Sequence, residues 1–447
     1  MRLIRAVALC VVVATLVTAC TARGSRSAVG GGEAPRVPDV DQPHLAEELR
    51  EVPDGSLGRR VRKELDRLFA DPSFLSLGDV GVVAAGGDPR AAWPLVDLLR
   101  FHQGGPLERD LVRALRKLVG SKLGSDWVGY TDLLLLADIP APRGYLRWKR
   151  ALFLAAGPSW EPFFSSDADL DWRNVTWGGV FRDAIPRLDS PRVVSGGSGS
   201  WLPDDDIVFG VVSDGEPRAY PRRVLEVHEI VNDELGGRRL AVTYCTLCGT
   251  AVAYAADGVP RTDGPLVFAT SGLLQRSNKL MYDEQTESLF EQFTGVGVVG
   301  PLRGVQLERL PLSVTTWKEW RAVHPETTIV AADAGDDPTY EPEPLEGRDS
   351  DGPIFPVGER DERLAAQEPV VGTITPRGQP VAFPAQLARK ALREGRPVTM
   401  GGVTLGFDGG SVTASWDEAG TTLSTQESFW FAWSQFHPGT LLWSPEA

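Results

Sequence analysis

Residues 317–327, Trp-Lys-Glu-Trp-Arg-Ala-Val-His-Pro-Glu-Thr, decide how the second half of the chain is organised, because their pattern returns at residues 430–440, Trp-Phe-Ala-Trp-Ser-Gln-Phe-His-Pro-Gly-Thr. A second shared pattern precedes each copy, at residues 208–221 and again at residues 370–384. Both patterns occur in the same order along the chain. We therefore predict a duplicated half-domain, which consists of a strand hairpin, further strands and a closing helix.

Each copy places a histidine seven residues after its first tryptophan, at His324 and His437. On a helix, this spacing puts the histidine on the same face as both tryptophans of its copy. A proline follows each histidine directly and would end the helix. We therefore predict that both histidines are capping or core groups.

The first copy contains about fifty more residues between its two patterns than the second copy, and these include Cys245 and Cys248. Two thiols three positions apart can bind a soft metal ion, exchange electrons as a dithiol or close a small disulfide. The pair lies between two predicted strands, whereas a thioredoxin-like pair opens a helix. A c-type haem would need a histidine where the chain has Gly249, and no nucleotide-binding template is present.

Our leading hypothesis is a binding protein for copper or zinc, with His228 as the third ligand beside the two cysteines. Three further residues are expected around these ligands. Glu229 would bind the ion or orient the imidazole, Met281 would offer a thioether that favours Cu(I), and Tyr244 precedes the first cysteine.

Two other functions remain open for the same cysteine pair. In a thiol–disulfide oxidoreductase, Cys245 and Cys248 would be the catalytic residues. In a cell-envelope scaffold or interaction protein, they would form a structural disulfide, as is common in an oxidising compartment. The sequence leaves open whether the protein is an enzyme.

The first twenty residues have the pattern of a bacterial lipoprotein signal. Arg2 and Arg5 precede an apolar run, residues 6–17, which is too short to span a bilayer comfortably, and Val17-Thr-Ala-Cys20 resembles a lipobox. We predict cleavage before Cys20 and attachment of a lipid such as palmitate to this cysteine. The protein would then be anchored to the cell membrane on its extracytoplasmic face.

The rest of the chain is predicted to form an α+β protein. After a signal peptide at residues 1–19 and a flexible tether at 20–44, apolar residues at three- and four-residue spacing predict a helical bundle with HEAT-like hairpins at 45–165. Residues 166–447 are predicted to form a mixed, β-rich α+β domain that contains the duplication.

The charge of the chain limits its partners. It has 46 Lys and Arg against 60 Asp and Glu, a formal net charge of −14. This balance argues against nucleic-acid binding, which requires a dominant basic surface. The partner that the sequence predicts is the membrane, which the protein would contact through the lipid on Cys20. The sequence identifies no protein partner.

Several motifs in the second half together resemble the family of proteins of unknown function called DUF3179. The motifs are Asp183-Ala-Ile-Pro186, Ala219-Tyr-Pro221, His228-Glu-Ile-Val-Asn-Asp233, Tyr244-Cys-Thr-Leu-Cys248, residues 277–289 and Phe429-Trp-Phe-Ala-Trp433. The resemblance covers about residues 172–443 and excludes the helical region. The chain departs from the family pattern at Thr246, where Pro is frequent, and at Phe290, where Trp is frequent. Because the family has no established reaction, the resemblance supports the choice of site residues and implies no activity.

Overall fold

The structure is a computed structural model, which describes residues 46–47, 49, 52, 56–70, 77–335, 340–341, 352–416 and 420–445. The predicted signal peptide and tether, including Cys20, lie outside the described residues. Within the described residues, no helix combines the length and the apolar character that a membrane span requires. The chain divides into two compact units. The first comprises residues up to 166 with 170–182 and 355–359, and the second comprises 167–169, 183–354 and 360–447.

The first unit is mainly helical. Its α-helices are α1 (Arg59–Ala70), α2 (Leu77–Ala85), α3 (Ala92–Phe101), α4 (Glu108–Val119), α5 (Trp127–Leu136) and α6 (Tyr145–Ala156). Short 3-10 helices at Pro89–Ala91, Pro158–Phe163 and Trp172–Asn174, and strand β1 (Val175–Trp177), also belong to it.

Helix α3 lies at the centre of the helical unit, because α4, α5 and α6 all pack against it. Its side chains are apolar and buried except at Asp97, Arg100 and Phe101. Asp97 accepts hydrogen bonds from Lys149 Nζ and Tyr145 Oη, each at 2.8 Å. Burial raises the pKa of Asp97, and Lys149 opposes this rise.

The predicted bundle of HEAT-like hairpins is wrong. The structure has a short helical region grouped around one buried helix. The three- and four-residue spacing of apolar residues is typical of helices with one apolar face, but α3 is buried on nearly all sides.

The second unit consists of strands and a few short helices. The helices are α7 (Arg222–His228), α8 (Trp317–Val323), α9 (Ala385–Arg393), α10 (Trp430–Phe436) and a 3-10 helix at Gly196–Ser198. The strands are β2 (Leu188–Asp189), β3 (Val193–Ser195), β4 (Ile207–Ser213), β5 (Glu216–Pro221), β6 (Ile230–Leu235), β7 (Arg238–Cys245), β8 (Thr250–Ala255), β9 (Phe268–Gln275), β10 (Asn278–Asp283), β11 (Leu289–Glu291), β12 (Gly297–Val299), β13 (Arg309–Leu310), β14 (Ser313–Thr316), β15 (Thr328–Val330), β16 (Pro369–Ile374), β17 (Pro380–Pro384), β18 (Thr399–Met400), β19 (Val403–Asp408), β20 (Ser411–Trp416), β21 (Thr421–Leu423), β22 (Thr425–Phe429) and β23 (Leu441–Leu442).

In the described part of the chain, these strands form five sheets. The strand orders are β14-β4-β5-β15-β3, β13-β8-β7-β6-β2, β22-β16-β17-β23 and β18-β19-β20-β21, and the fifth sheet contains β9-β10-β11-β12. Most neighbouring strands are antiparallel, but β15 pairs with β5, β2 with β6 and β23 with β17 in parallel.

The five sheets are the blades of a five-bladed β-propeller, so the prediction of a duplicated α+β domain is wrong. The repeated sequence patterns fall in only two of the five sheets. The other three sheets share no comparable pattern, because a blade needs apolar faces and short turns rather than one particular sequence. The sequence therefore suggested two large halves where the structure has five smaller sheets.

The two sheets that share the sequence patterns also share one strand order, β14-β4-β5-β15 in the first and β22-β16-β17-β23 in the second. We call them the tryptophan blades. In each blade, the second tryptophan of the helix donates a hydrogen bond to the threonine at the end of the pattern. Trp320 donates to Thr327 Oγ1 at 2.8 Å, and Trp433 donates to Thr440 Oγ1 at 3.0 Å.

His324 and His437 are the C-cap residues of α8 and α10. The centroids of their rings lie 4.0 and 4.2 Å from those of the neighbouring tryptophans. The prediction that both histidines are capping groups is confirmed.

Candidate functional site

The two cysteines of the second unit are joined to each other. Cys245 ends β7, Cys248 lies in the turn before β8, and their sulfurs form a disulfide with a Cα–Cα distance of 5.5 Å. Both residues are buried, at 1% and 0% exposure. The turn is tight, since Cys248 N–H donates to Cys245 O at 3.3 Å.

The turn is packed against the first residue before α10. Phe429 N–H donates to Cys248 O at 2.9 Å, and the ring of Phe429 lies over Gly249. Gly249 has φ +60°, and a Cβ atom there would lie 3.1 Å from ring carbons of Phe429. This close approach in the left-handed region requires glycine.

A buried ion pair lies beside the disulfide. Lys279, on β10, places its Nζ 2.6 Å from the carbonyl oxygen of Tyr244, the residue directly before Cys245. The same Nζ lies 2.7 Å from Glu229 Oε2, and the two side chains are only 7% and 14% exposed. Burial lowers the pKa of Lys279, and the carboxylate of Glu229 opposes this effect.

The backbone holds Glu229 in place. Its N–H donates to Leu225 O at the end of α7, and its carbonyl accepts from Tyr244 N–H, both at 2.8 Å. Glu229 has φ +59°, the left-handed conformation of a helix C-cap. For a residue other than glycine, this conformation is costly and is frequent at functional sites.

Several buried polar side-chain atoms in this part of the chain have no hydrogen-bond partner among the described residues. They include Ser277 Oγ and Asn278 Oδ1, in the chain directly before Lys279, and Gln292 Oε1. The amide nitrogen of Gln292 donates to Thr243 Oγ1 at 2.9 Å and to Thr250 O at 3.2 Å, and thus bridges β7 and β8 beside the disulfide. Such unsatisfied buried atoms are uncommon in folded proteins. We call the two cysteines, the Lys279–Glu229 pair and Gln292 together the disulfide site.

Both ring nitrogens of His228 have partners other than the cysteines. Its Nδ1 lies 2.6 Å from Pro186 O, and its Nε2 lies 2.9 Å from Tyr340 Oη. Both ring nitrogens are thus engaged elsewhere. Among the described residues, no group of three His, Cys, Asp or Glu side chains is placed to hold a metal ion.

The residues predicted around the metal ligands take different positions. Glu229 pairs with Lys279 at the disulfide site. Tyr244 contributes its carbonyl oxygen there, while its ring lies 5.1 Å from that of Phe209. Met281 is fully buried in an apolar cluster with Val252 and other hydrophobic residues.

Sequence reasoning missed Lys279 and Gln292. The available signal was the charge of Lys279 in an otherwise uncharged run of β10, residues 278–282, whose side chains are all buried. A buried lysine is rare unless it is paired.

The comparisons with known proteins assign no activity. The family model described as "Protein of unknown function (DUF3179)" matches residues 182–405. This range includes both cysteines, Glu229, Lys279 and Gln292. No curated protein and no solved structure matches the chain.

Proposed function

This chain belongs to the DUF3179 family of proteins of unknown function, and we propose that its Cys245–Cys248 pair is a redox-active disulfide that exchanges with substrate dithiols at the outer face of the cell membrane. The buried Lys279–Glu229 pair, one peptide unit from Cys245, is the observation that carries this proposal.

A disulfide that closes such a short loop stabilises the fold only slightly. Its cysteines are three positions apart, so it closes a loop of about four residues. In the chain-entropy model, such a loop contributes about 2 kcal/mol, less than the disulfide of a longer loop. Stabilisation of the fold is therefore a weak reason for this bond.

The buried ion pair beside the disulfide is better explained by redox chemistry than by stabilisation of the fold. Removing two charges from water is costly, and apolar residues of similar size often stabilise a fold as well or better. Reduction of the disulfide, however, releases a cysteine as a thiolate, which is negatively charged until it binds a proton. The ammonium of Lys279 would stabilise that negative charge, and Glu229 limits the effect.

The proposed exchange has two steps. One thiolate of a substrate dithiol attacks a sulfur of the disulfide, which breaks the Cys245–Cys248 bond, forms a mixed disulfide and releases one cysteine as a thiolate. The second substrate thiolate then attacks the mixed disulfide. The substrate leaves as a disulfide, and the protein keeps two thiols, with protons supplied by the substrate thiols. Reverse exchange with another disulfide regenerates the bond.

A structural disulfide is the second candidate, since the burial of both sulfurs favours it. Because both sulfurs are buried, exchange at this site requires a local opening that exposes one of them. The reduction potential of the purified mature protein separates the two functions. We expect a value between about −120 and −270 mV, whereas structural disulfides lie below about −300 mV. A reduction potential below about −300 mV contradicts the proposal.

Two substitutions test the ion pair. Lys279→Met removes the positive charge and should make the potential more negative by about 30 mV or more, and Glu229→Gln should shift it in the opposite direction. Lys318→Met is the matched control, because Lys318 is exposed on α8 and should leave the potential unchanged. Equal potentials in all four proteins would contradict a role for the pair.

The hypothesis of copper or zinc binding requires free thiolates and a third donor. A count of free thiols, with and without a chelator, tests it in protein purified without reductant. Thiols that appear only after reductant support the disulfide. Thiols released by chelator support the metal site and contradict our proposal.

The membrane location in this proposal rests on the signal pattern that ends at Cys20. A lipid on that cysteine would keep the protein outside the cytoplasm, where disulfides persist.

A further inference from the structure

An open basic groove lies between α1 and α6 in the helical unit. Its lining includes Arg59, Arg62 and Lys63 from α1, together with Arg143, Arg147 and Trp148 at the start of α6. Its volume is about 570 Å³, enough for a small charged group.

The cations of the groove are poorly neutralised. Arg59, Arg62, Lys63 and Arg143 form no ion pair with any described residue, whereas the groove's acidic residue, Asp66, is already engaged by Arg147 and Trp148. This local excess of positive charge occurs in a chain whose net charge is −14. The groove therefore attracts anions locally, although the protein as a whole is acidic.

Two helix N-termini add positive potential to the groove. Helix α1 begins at Arg59 and has no acidic residue in its first turn. Helix α6 begins after Gly144, which makes no side-chain capping bond, and its first turn also lacks an acidic residue. Cations at helix N-termini oppose the helix dipole and destabilise the helix. The same arrangement binds anions, phosphate groups above all.

We propose that this groove binds the phosphate groups of anionic phospholipids in the membrane. The membrane is the source because the anchor predicted at Cys20 precedes Arg59 by 39 residues, and the predicted flexible tether at residues 20–44 has a root-mean-square reach of about 28 Å. Groove and anchor would then act together, since a basic patch adds electrostatic attraction to the anionic lipids around the anchor. The proposal is independent of the redox function and rests on the predicted anchor only for its choice of phosphate source.

The test uses the mature chain with Cys20→Ser, so that no lipid contributes to binding. We expect it to float with vesicles that contain phosphatidylglycerol, not with pure phosphatidylcholine vesicles, and to be released as salt rises. The double variant Arg59→Gln, Lys63→Gln should weaken this binding tenfold or more, because the groove loses two positive charges. Both side chains are exposed, so we expect the variant to keep its fold. Arg109→Gln with Lys122→Gln is the matched control, with the same loss of charge at exposed positions outside the groove.

Each outcome decides the proposal. Loss of binding in the groove variant alone supports it. Equal binding by both variants, or no binding to anionic vesicles, overturns it, and so does binding of inorganic phosphate without binding of vesicles. A failed vesicle test would leave the redox potential and the anchoring of Cys20 untouched, so these proposals fail separately. Thermal midpoints of the variants confirm that they are folded.

Discussion

Two glycines take equivalent positions in the tryptophan blades and carry the same tryptophan contact. A Cβ atom on Gly210 would lie 2.3 Å from the ring of Trp320, and one on Gly372 would lie 2.3 Å from the ring of Trp433. Both glycines lie on the first strand of the repeated hairpin. In each blade, the tryptophan ring therefore packs directly against the main chain of the glycine.

We expect Gly372→Ala to lower the free energy of unfolding by about 1–3 kcal/mol, because the indole must shift in a packed core. Chemical denaturation measures this change. Gly197→Ala is the matched control, since a Cβ atom there has no heavy atom within 4 Å. If Gly372→Ala were as stable as this control, the tight packing would be contradicted.

A second residue-scale prediction concerns pH. Burial, and to a smaller extent the positive charge of Arg309, lower the pKa of His437 to about 4. An unfolded histidine titrates near pH 6.5, so below that pH the unfolded state binds more protons and stability falls as the pH drops towards 4.

Because solvent screens the partly exposed ring, we expect the free energy of unfolding to fall by about 1–2 kcal/mol over this pH range. The difference in unfolding free energy between wild type and His437→Gln should therefore shrink between pH 7 and pH 4.5. An NMR titration of the ring gives the pKa directly, and an unshifted value would contradict the prediction.

The residues of the disulfide site show what sequence can predict at this scale. The motifs indicated the cysteines and Glu229, because two close thiols and an acid are recognisable by chemistry alone. They could not indicate the partners of His228, since Pro186 and Tyr340 lie 42 and 112 positions away in the chain. Nor could spacing alone distinguish two thiolates from a disulfide.

At the scale of elements, α8 and α10 are equivalent helices with different N-termini. Helix α8 begins with a capping box, in which Thr316 Oγ1 accepts from Glu319 N–H and the Glu319 side chain accepts from Thr316 N–H. Helix α10 has Phe429 at the N-cap and no side-chain bond. This N-cap residue contacts the disulfide site instead, because Phe429 N–H donates to Cys248 O.

We expect Thr316→Ala to reduce the free energy of unfolding by about 1 kcal/mol, because it removes the cap of α8. Urea denaturation measures the change. Thr404→Ala, at an exposed strand position, provides the control for loss of a threonine. A loss no larger than that of the control would contradict the role of the cap.

Sequence patterns located these helices well, because the spacing of tryptophan, histidine and proline reports directly on one helix face. They described the sheets poorly. In β10 every residue is buried, so the alternation of polar and apolar residues that identifies a strand with one exposed face is missing.

At the scale of the whole molecule, the predicted anchor has a direct test. We expect Cys20→Ser to move the protein from the membrane fraction to the soluble extracytoplasmic fraction and to abolish labelling with a palmitate analogue. Cys10→Ser is the control, because Cys10 lies inside the predicted signal. Unchanged labelling of the Cys20 variant would contradict lipidation at this residue.

The fold class was beyond the reach of the sequence for a physical reason. A repeat is visible only where the same side chains are needed twice, as in the tryptophan blades. The blade β18-β19-β20-β21 is built from short hairpins whose turns and apolar faces tolerate many sequences. Between the two patterns of the second copy, the sequence therefore showed only a segment about fifty residues shorter than that of the first copy.

The strand order of the tryptophan blades has a consequence for how the chain is made. Strand β4 pairs with β14, where Gly210 faces Ser313, and β16 pairs with β22, where Gly372 faces Gln426. A nascent chain must therefore wait for about a hundred further residues before the first of these blades can close, whereas the hairpins between its halves can pair as soon as they emerge. Such distant pairings slow folding, because the entropy of closing a long loop is lost before any contact forms. Until then β4 presents a free edge, and a chaperone that shields such an edge would be most useful during this interval.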